Sequence, residues 1–313
     1  MRVFVSGSLA YDRIMDFHGL FGDHILSDKT HQINISFYID SLNESFGGTA
    51  GNISYALALL GESPTIISTA GSDFAPYRLW LDDHGIDTSH IRIDESEKTA
   101  FASIITDKKN NQISAFYPGA AQSPSHPSET LFEEAGFGIV AAGNLADMRE
   151  LPRMFRRSDY PFMFDPGQQI PVLSAEDLEN GIKGSVCFIS NDYELAMVMK
   201  KTGWKEADML KHTEMIVTTF GEKGSRILTK DDEIVVSAAT AKTVKDPTGA
   251  GDAYRSGFVH GLLKGWPLGT VGKFAGLVAC YTVEVKGTQA HSFTESEMRA
   301  RYEENFAETL PVV

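Results

Sequence analysis

The strongest chemical signal in the chain is Asp246-Pro-Thr-Gly-Ala-Gly-Asp252-Ala-Tyr-Arg-Ser-Gly257. A Gly-Ala-Gly turn that opens a helix has no bulky side chains in the way. Its first backbone N–H groups point outward at the positive end of the helix dipole, where a phosphoryl group in transfer can sit. Gly249, Ala250 and Gly251 would form that anion hole. Asp252, in the first turn, would stand beside it as general base, taking a proton from a hydroxyl that attacks the γ-phosphorus. An isolated Gly-Asp pair is more often just an acid at a helix N-terminus; the full spacing, in its strand–turn–helix setting, argues for the chemistry.

Phe46-Gly-Gly-Thr-Ala-Gly-Asn52 is a second glycine-rich turn leading into a helix, with Ile53, Ala56, Leu57 and Leu60 on one apolar face and Gly61 at the end. Gly47 and Gly48 would let backbone approach a ligand closely, and Asn52 could bond a diol. Asp12 follows the first apolar run and reads equally as a turn residue or as a carboxylate that grips two neighbouring hydroxyls. Asn191-Asp-Tyr-Glu194 and Thr218-Thr-Phe-Gly221-Glu-Lys-Gly224 follow two later runs. Taken alone, Asn191 is a helix N-cap.

Together these segments resemble the ribokinase-like (PfkB) kinases. Asp246–Asp252 is similar to the C-terminal signature of that family and Phe46–Asn52 to its N-terminal one, in the same order and separation, and the resemblance spans most of the chain. It implies a three-layer α/β fold with a mainly parallel sheet and a small β-sheet lid, one kinase domain over residues 1–313, and lid insertions at about 13–45 and 98–118. It also implies ATP and Mg²⁺, with Glu194 acting on the metal through water and a monovalent cation such as K⁺ near Asp246, as in some relatives. Asn191, Thr219, Gly221 and Gly224 would attend the nucleotide, and Asp12 the acceptor.

The acceptor is less constrained. Phe164-Asp-Pro-Gly-Gln-Gln169 and Tyr254-Arg255 resemble bacterial and archaeal nucleoside or adenosine kinase-like members, which implies a nucleoside 5′-hydroxyl as acceptor and Gln168 as a substrate contact. The lid agrees: Ile33, Ile35 and Phe37 share one face, and Phe101, Phe116 and Tyr117 come from the second insertion, giving a nucleobase π faces to stack on. The same residues would serve equally to pack the lid against itself or against the lid of a second subunit, in a homodimer. A ribokinase- or fructokinase-type sugar kinase is the alternative within enzymes. A non-catalytic binding protein on this fold would be expected to lose Asp252 or the turn, and both are intact. Arg255, Lys245 and Lys223 are the cations that could meet phosphate; for Arg255, a bond to a neighbouring acid is the preferred reading.

The elements that must position these groups alternate. Apolar runs at Arg2–Ser6, Thr65–Thr69, Gly138–Ala142, Pro161–Phe164, Val186–Ile189 and Met215–Thr219 are separated mostly by helix-like stretches, which predicts a parallel sheet covered on both faces. Glycine, Asn or Asp follows each run, at the strand ends where open parallel sheets bind ligands. His31–Phe37, Phe101–Ile105 and Ile113–Phe116 read as lid strands, the last two joined by a turn at Lys108–Asn111.

Composition narrows the class. The 313 residues are 42% hydrophobic with a formal charge of −14, a globular chain whose acidic surface disfavours nucleic acid. No G-x-x-x-x-G-K-[ST] occurs, and no His or Cys pair has helical zinc spacing. Cys187 and Cys280 lie in apolar runs and read as buried, reduced thiols; with no signal-like N-terminus and no membrane-length apolar stretch, a cytoplasmic location is expected.

Overall fold

A computed structural model describes residues 1–25, 34–109 and 111–311. Thirteen strands among them build two sheets. The larger sheet has the order β13-β12-β11-β10-β9-β8-β1-β4-β5. Its members are β1 (Arg2–Ser6), β4 (Ser63–Gly71), β5 (Ile91–Asp94), β8 (Gly136–Val140), β9 (Phe162–Phe164), β10 (Cys187–Asn191), β11 (Met215–Thr219), β12 (Ser225–Thr229) and β13 (Glu233–Val236). All neighbours from β5 to β11 pair parallel, and only the β11–β12 and β12–β13 pairings are antiparallel, so β12 alone runs against the rest. The six runs marked in the sequence are β1, β4, β8, β9, β10 and β11.

Side-chain alternation explains the two covered faces. In β1, Val3 and Val5 point to one side and pack with Ile53 of α2 (Thr49–Leu59), Tyr77 of α3 (Ala75–Asp83), Phe258 of α8 (Ala250–Leu263) and Val278 of α9 (Leu268–Val283). Phe4 points to the other, among Phe155 of α4 (Leu145–Arg157), Leu178 of α5 (Ala175–Ile182) and Val198 of α6 (Asp192–Thr202). The remaining helices are the short α1 (Phe21–His24) and α7 (Glu206–Met209) and the terminal α10 (Glu295–Phe306). Cys187 and Cys280 are buried free thiols. No helix of the described residues is long and apolar enough to cross a membrane.

The second sheet, of order β3-β2-β6-β7, is the lid. It comprises β2 (Ala10–Asp16), β3 (Ser41–Gly47), β6 (Ala100–Thr106) and β7 (Gln112–Tyr117). Two of these differ from the sequence reading. Gly7–Asp12, read as a post-strand turn, instead carries the chain into β2, and the first insertion returns to the sheet through Ser41–Gly47. Residues 34–37 of the expected strand His31–Phe37 are not in a strand; His31, Gln32 and Ile33 lie outside the described residues. The β6–β7 turn is held by Asp107, whose Oδ1 accepts from the backbone N–H of Lys109 at 2.8 Å and of Asn111 at 2.9 Å.

Candidate active site

Because β1, β4, β8, β9, β10 and β11 are parallel, their C-terminal ends share one edge of the sheet, and the lid strands start from that edge. A cleft of about 760 Å³ opens there. Its wall includes Ser8, Asp12, Gly48, Asn52, Phe116, Leu145, Arg149, Gln168, Thr248, Gly249, Asp252 and Thr288. The lid, the sheet edge and the starts of α2 and α8 thus converge on one space.

Helix α8 begins at Gly249, whose φ of 78° is a left-handed conformation that favours glycine. A Cβ there would also stand 2.9 Å from Thr288 Cγ2. No side chain of the described residues caps this helix, and its first intrahelical bond is from Ala253 N–H to the Gly249 carbonyl. Ala250 N–H donates to the Pro247 carbonyl at 3.3 Å, and the amides of Gly251 and Asp252 remain available to an anion. Ala250 and Gly251 form the first turn, and Asp252 follows with its side chain on the cleft wall. Burial pushes the Asp252 carboxyl up to about 6, against the pull of Arg255 and of the Asn52 amide.

Helix α2 is pinned to the sheet edge by Thr49. Its Oγ1 donates to the Ala142 carbonyl at 2.7 Å and accepts from Ser8 N–H at 3.0 Å. That fixes Asn52 one turn later, and Asn52 Nδ2 donates to Asp252 Oδ2 at 2.8 Å. The amide cannot flip, because Asn52 Oδ1 accepts from Gln289 Nε2 at 3.1 Å. Gln289 in turn accepts from Trp80 Nε1 at 3.0 Å and donates to Tyr77 Oη at 2.6 Å, and Tyr77 donates to the Gly47 carbonyl at 2.9 Å. Asn52 therefore meets Asp252 first, rather than only a diol.

Asp12 lies on β2 facing the cleft, and its carboxylate makes no hydrogen bond to the described residues. Burial, aided by the negative charge of Asp246, pushes it up to about 6. The bareness of Gly47 is for this carboxylate: a Cβ on Gly47 would stand 3.2 Å from Asp12 Cγ and closer still to Oδ2. At Gly48, φ is 88°, and a Cβ would meet Ala10 N at 2.8 Å. Backbone and side chain, not a ligand alone, are what these two glycines admit.

Other expected residues are placed differently. Asn191 and Glu194 form a reciprocal capping box at the start of α6: Asn191 Oδ1 accepts from Glu194 N–H at 2.8 Å, and Glu194 Oε2 accepts from Asn191 N–H at 2.9 Å. Glu194 Oε1 makes no hydrogen bond to the described residues, and the carboxylate lies near enough to Asp165 and Arg255 to act on both charges. Asp246 Oδ1 accepts from Thr248 N–H at 3.0 Å and Oδ2 from Gly287 N–H at 3.1 Å. Burial opposes its charge, but these bonds and Lys286 hold its carboxyl below the ordinary range. Among the described residues no group of three or more His, Cys, Asp or Glu could cage a metal. Thr219 ends β11 on the same sheet edge; Gly221 and Gly224 shape the turn beyond it, outside the cleft wall. Lys223 and Lys245 are exposed.

The aromatic expectations divide. Phe116 faces the cleft on β7, opposite Ala102, which separates it from Asp12 in the same row of the lid sheet. Phe101 and Tyr117 are paired on the opposite face, 5.1 Å apart, with the Arg13 guanidinium 4.4 Å above Phe101. Phe37 is not on the cleft wall: it packs 4.8 Å from Phe17 and 5.1 Å from Phe21, closing the lid on itself. Gln168 does line the cleft. Arg255 bonds a neighbouring acid, as preferred: Nη2 donates to Asp165 Oδ1 at 2.7 Å and Nε lies against Oδ2. The sequence reading missed Tyr77, Gln289, Thr288 and Arg149; only Thr49, inside the quoted N-terminal motif, carried a signal.

Comparison with known proteins places the fold in a family. The model of the pfkB family carbohydrate kinases matches residues 12–295. A nucleoside kinase of Methanocaldococcus jannaschii is 31% identical over 286 residues, covering 90% of this chain and 94% of that protein. The structure of a Burkholderia thailandensis nucleoside kinase in complex with inosine superposes with a TM-score of 0.86 at 34% identity, covering 98% of this chain and 99% of that one. The same enzyme in complex with ADP-inosine gives 0.84 at 36% identity, over 98% and 97%.

Proposed function

The chain belongs to the pfkB family of carbohydrate kinases, and we propose that it transfers the γ-phosphoryl group of ATP to the 5′-hydroxyl of a nucleoside. The observation that carries the reading is the juxtaposition of Asp252, fixed by Asn52 at 2.8 Å, with the uncapped Gly249–Gly251 turn in one cleft.

Asp12, whose carboxylate oxygens make no hydrogen bond to the described residues, takes two neighbouring sugar hydroxyls. Phe116, Leu145 and Ala146 give the base an apolar side. The 5′-oxygen attacks the γ-phosphorus as Asp252 takes its proton; the new O–P bond forms as the bond to the β-phosphate bridging oxygen breaks, and ADP leaves. Charge on the transferring group is met by the amides at the start of α8. A carboxyl raised to about 6 suits this task, being ionised at neutral pH yet more basic than an ordinary aspartate.

Mg²⁺ would neutralise the phosphates. The residues fit an ion that keeps its waters and phosphate ligands, since Glu194 offers the free Oε1 and no protein cage exists among the described residues. A K⁺ ion beside Asp246 would have to share oxygens that already accept Thr248 and Gly287 amides.

An acceptor screen tests the reading: ADP release from Mg-ATP with inosine, adenosine, guanosine and cytidine against ribose and fructose. Turnover with nucleosides and little with free sugars is expected. The reverse order overturns the nucleoside assignment in favour of a sugar kinase.

A further inference from the structure

Arg255 and Asp165 form a buried ion pair that the reaction as written does not use. Asp165 is 2% exposed and Arg255 8%, at the sheet edge after β9 and on the second turn of α8. Replacing such a pair with apolar groups is often neutral or stabilising, so its presence calls for another account. Helical side chains lean toward the N-terminus, and Arg255 reaches back beside the first turn of its own helix. Its Nη1 lies where a Cβ on Gly251 would come within 2.5 Å, so the glycine is what admits the guanidinium. Asp252 sits three residues before Arg255, on the neighbouring face of the same helix.

We infer that Arg255, clamped by Asp165, is a positioning residue that lays a fixed positive charge under the phosphoryl-transfer turn and keeps Asp252 in its ionised, proton-accepting form. The inference rests on the base role of Asp252. Asp165 orients the guanidinium side-on through a hydrogen bond from Nη2 and an ion-pair contact at Nε, leaving Nη1 without a hydrogen bond to the described residues. A lysine would supply the charge without this two-point clamp. The charges that act on Asp252 are Arg255 on its own helix and Asp165 after β9; Glu194 on α6 acts on that pair, Tyr77 on α3 feels the Asp252 charge, and Asp12 on β2 shares the cleft wall. Arg255 is the one cation among them. Burial opposes its charge, but Asp165 outweighs this and holds it protonated.

The two members of the pair should therefore move the acid limb of kcat in opposite directions. Arg255→Gln removes the cation and raises the limb by about one pH unit, so activity below the limb falls about tenfold and recovers at higher pH. Asp165→Asn keeps the cation and removes the competing anion, so the limb moves down, accompanied by a lower melting temperature. The measurement is kcat against pH at saturating ATP and acceptor for wild type and both variants, with folding checked by circular dichroism. A limb unmoved in both variants, whatever the loss of kcat, overturns the inference and leaves a purely structural pair. Should Arg255→Gln fail to fold, the Asp165→Asn arm decides: an unchanged or raised limb contradicts the account. Near-wild-type turnover of Asp252→Asn would instead remove the base reading itself, a result separable from either shift.

Discussion

Replacing Gly47 by alanine adds one methyl group against the Asp12 carboxylate. The backbone of Gly47 sits in the regular β2–β3 ladder opposite Ala10 and outside the positive-φ region, so alanine fits its conformation. The methyl would stand 3.2 Å from Asp12 Cγ and closer to Oδ2, so Asp12 must leave its rotamer. A rotation of that kind costs about 0.5–1.5 kcal/mol, a modest loss of stability. Function should suffer more. Each hydrogen bond from a substrate hydroxyl to a displaced carboxylate is worth about 1.5–3 kcal/mol, so kcat/KM for the acceptor should fall roughly 10- to 100-fold or more. Steady-state kinetics with each substrate varied in turn checks this: KM for the nucleoside rises while KM for ATP holds. An unchanged acceptor KM would refute the reasoning, because it would mean that Asp12 does not need its present orientation or does not bind the acceptor.

Further outcomes follow from other contacts. Glu194→Gln keeps an acceptor for the Asn191 cap but removes the charge, so α6 should remain and the Mg²⁺ concentration for half-maximal rate should rise; an identical magnesium titration removes Glu194 from the metal's surroundings. Phe116→Ala should raise nucleoside KM by about 5- to 150-fold, the equivalent of a lost base stack worth about 1–3 kcal/mol, whereas Phe37→Ala should lower thermal stability and spare KM. The opposite pattern would put Phe37 in the cleft. Gln289→Met frees the Asn52 amide to flip and leaves Tyr77 Oη without its donor, so kcat should drop about tenfold with acceptor KM little changed; wild-type kcat would show that the Gln289 network does not hold Asn52.

Local backbone chemistry was readable from the chain, and distant partnership was not. The Gly249–Asp252 turn announces itself because a left-handed glycine, a helix start and an acid are fixed within four residues. The parallel strands were legible because both faces are covered, making each an apolar run. The lid was harder: β2 begins four residues after β1, and Ala10–Asp16 mixes exposures with no clean alternation, so it passed for a turn. Phe37 could be seen as an apolar lid residue, but period alone cannot say whether a face meets substrate or Phe17. Gln289 lies 237 residues from Asn52, and nothing in its spacing foretells their bond. Asn191 and Glu194 satisfy a capping box and a family motif with the same spacing, so the sequence could not separate the two roles.

The central claim is that Asp252 deprotonates a nucleoside 5′-hydroxyl for attack on ATP. Its most direct test is to follow the reaction of wild type and Asp252→Asn with Mg-ATP and inosine, identifying the product by phosphorus NMR. The account predicts stoichiometric ADP and a nucleoside 5′-monophosphate from the wild type. Its rate should fall about tenfold per pH unit below about 6, as the raised Asp252 carboxyl becomes protonated. A folded Asp252→Asn protein should run slower by about 10²–10⁴ or more. Near-wild-type turnover of that variant, or phosphate carried anywhere but the 5′-oxygen, would contradict it.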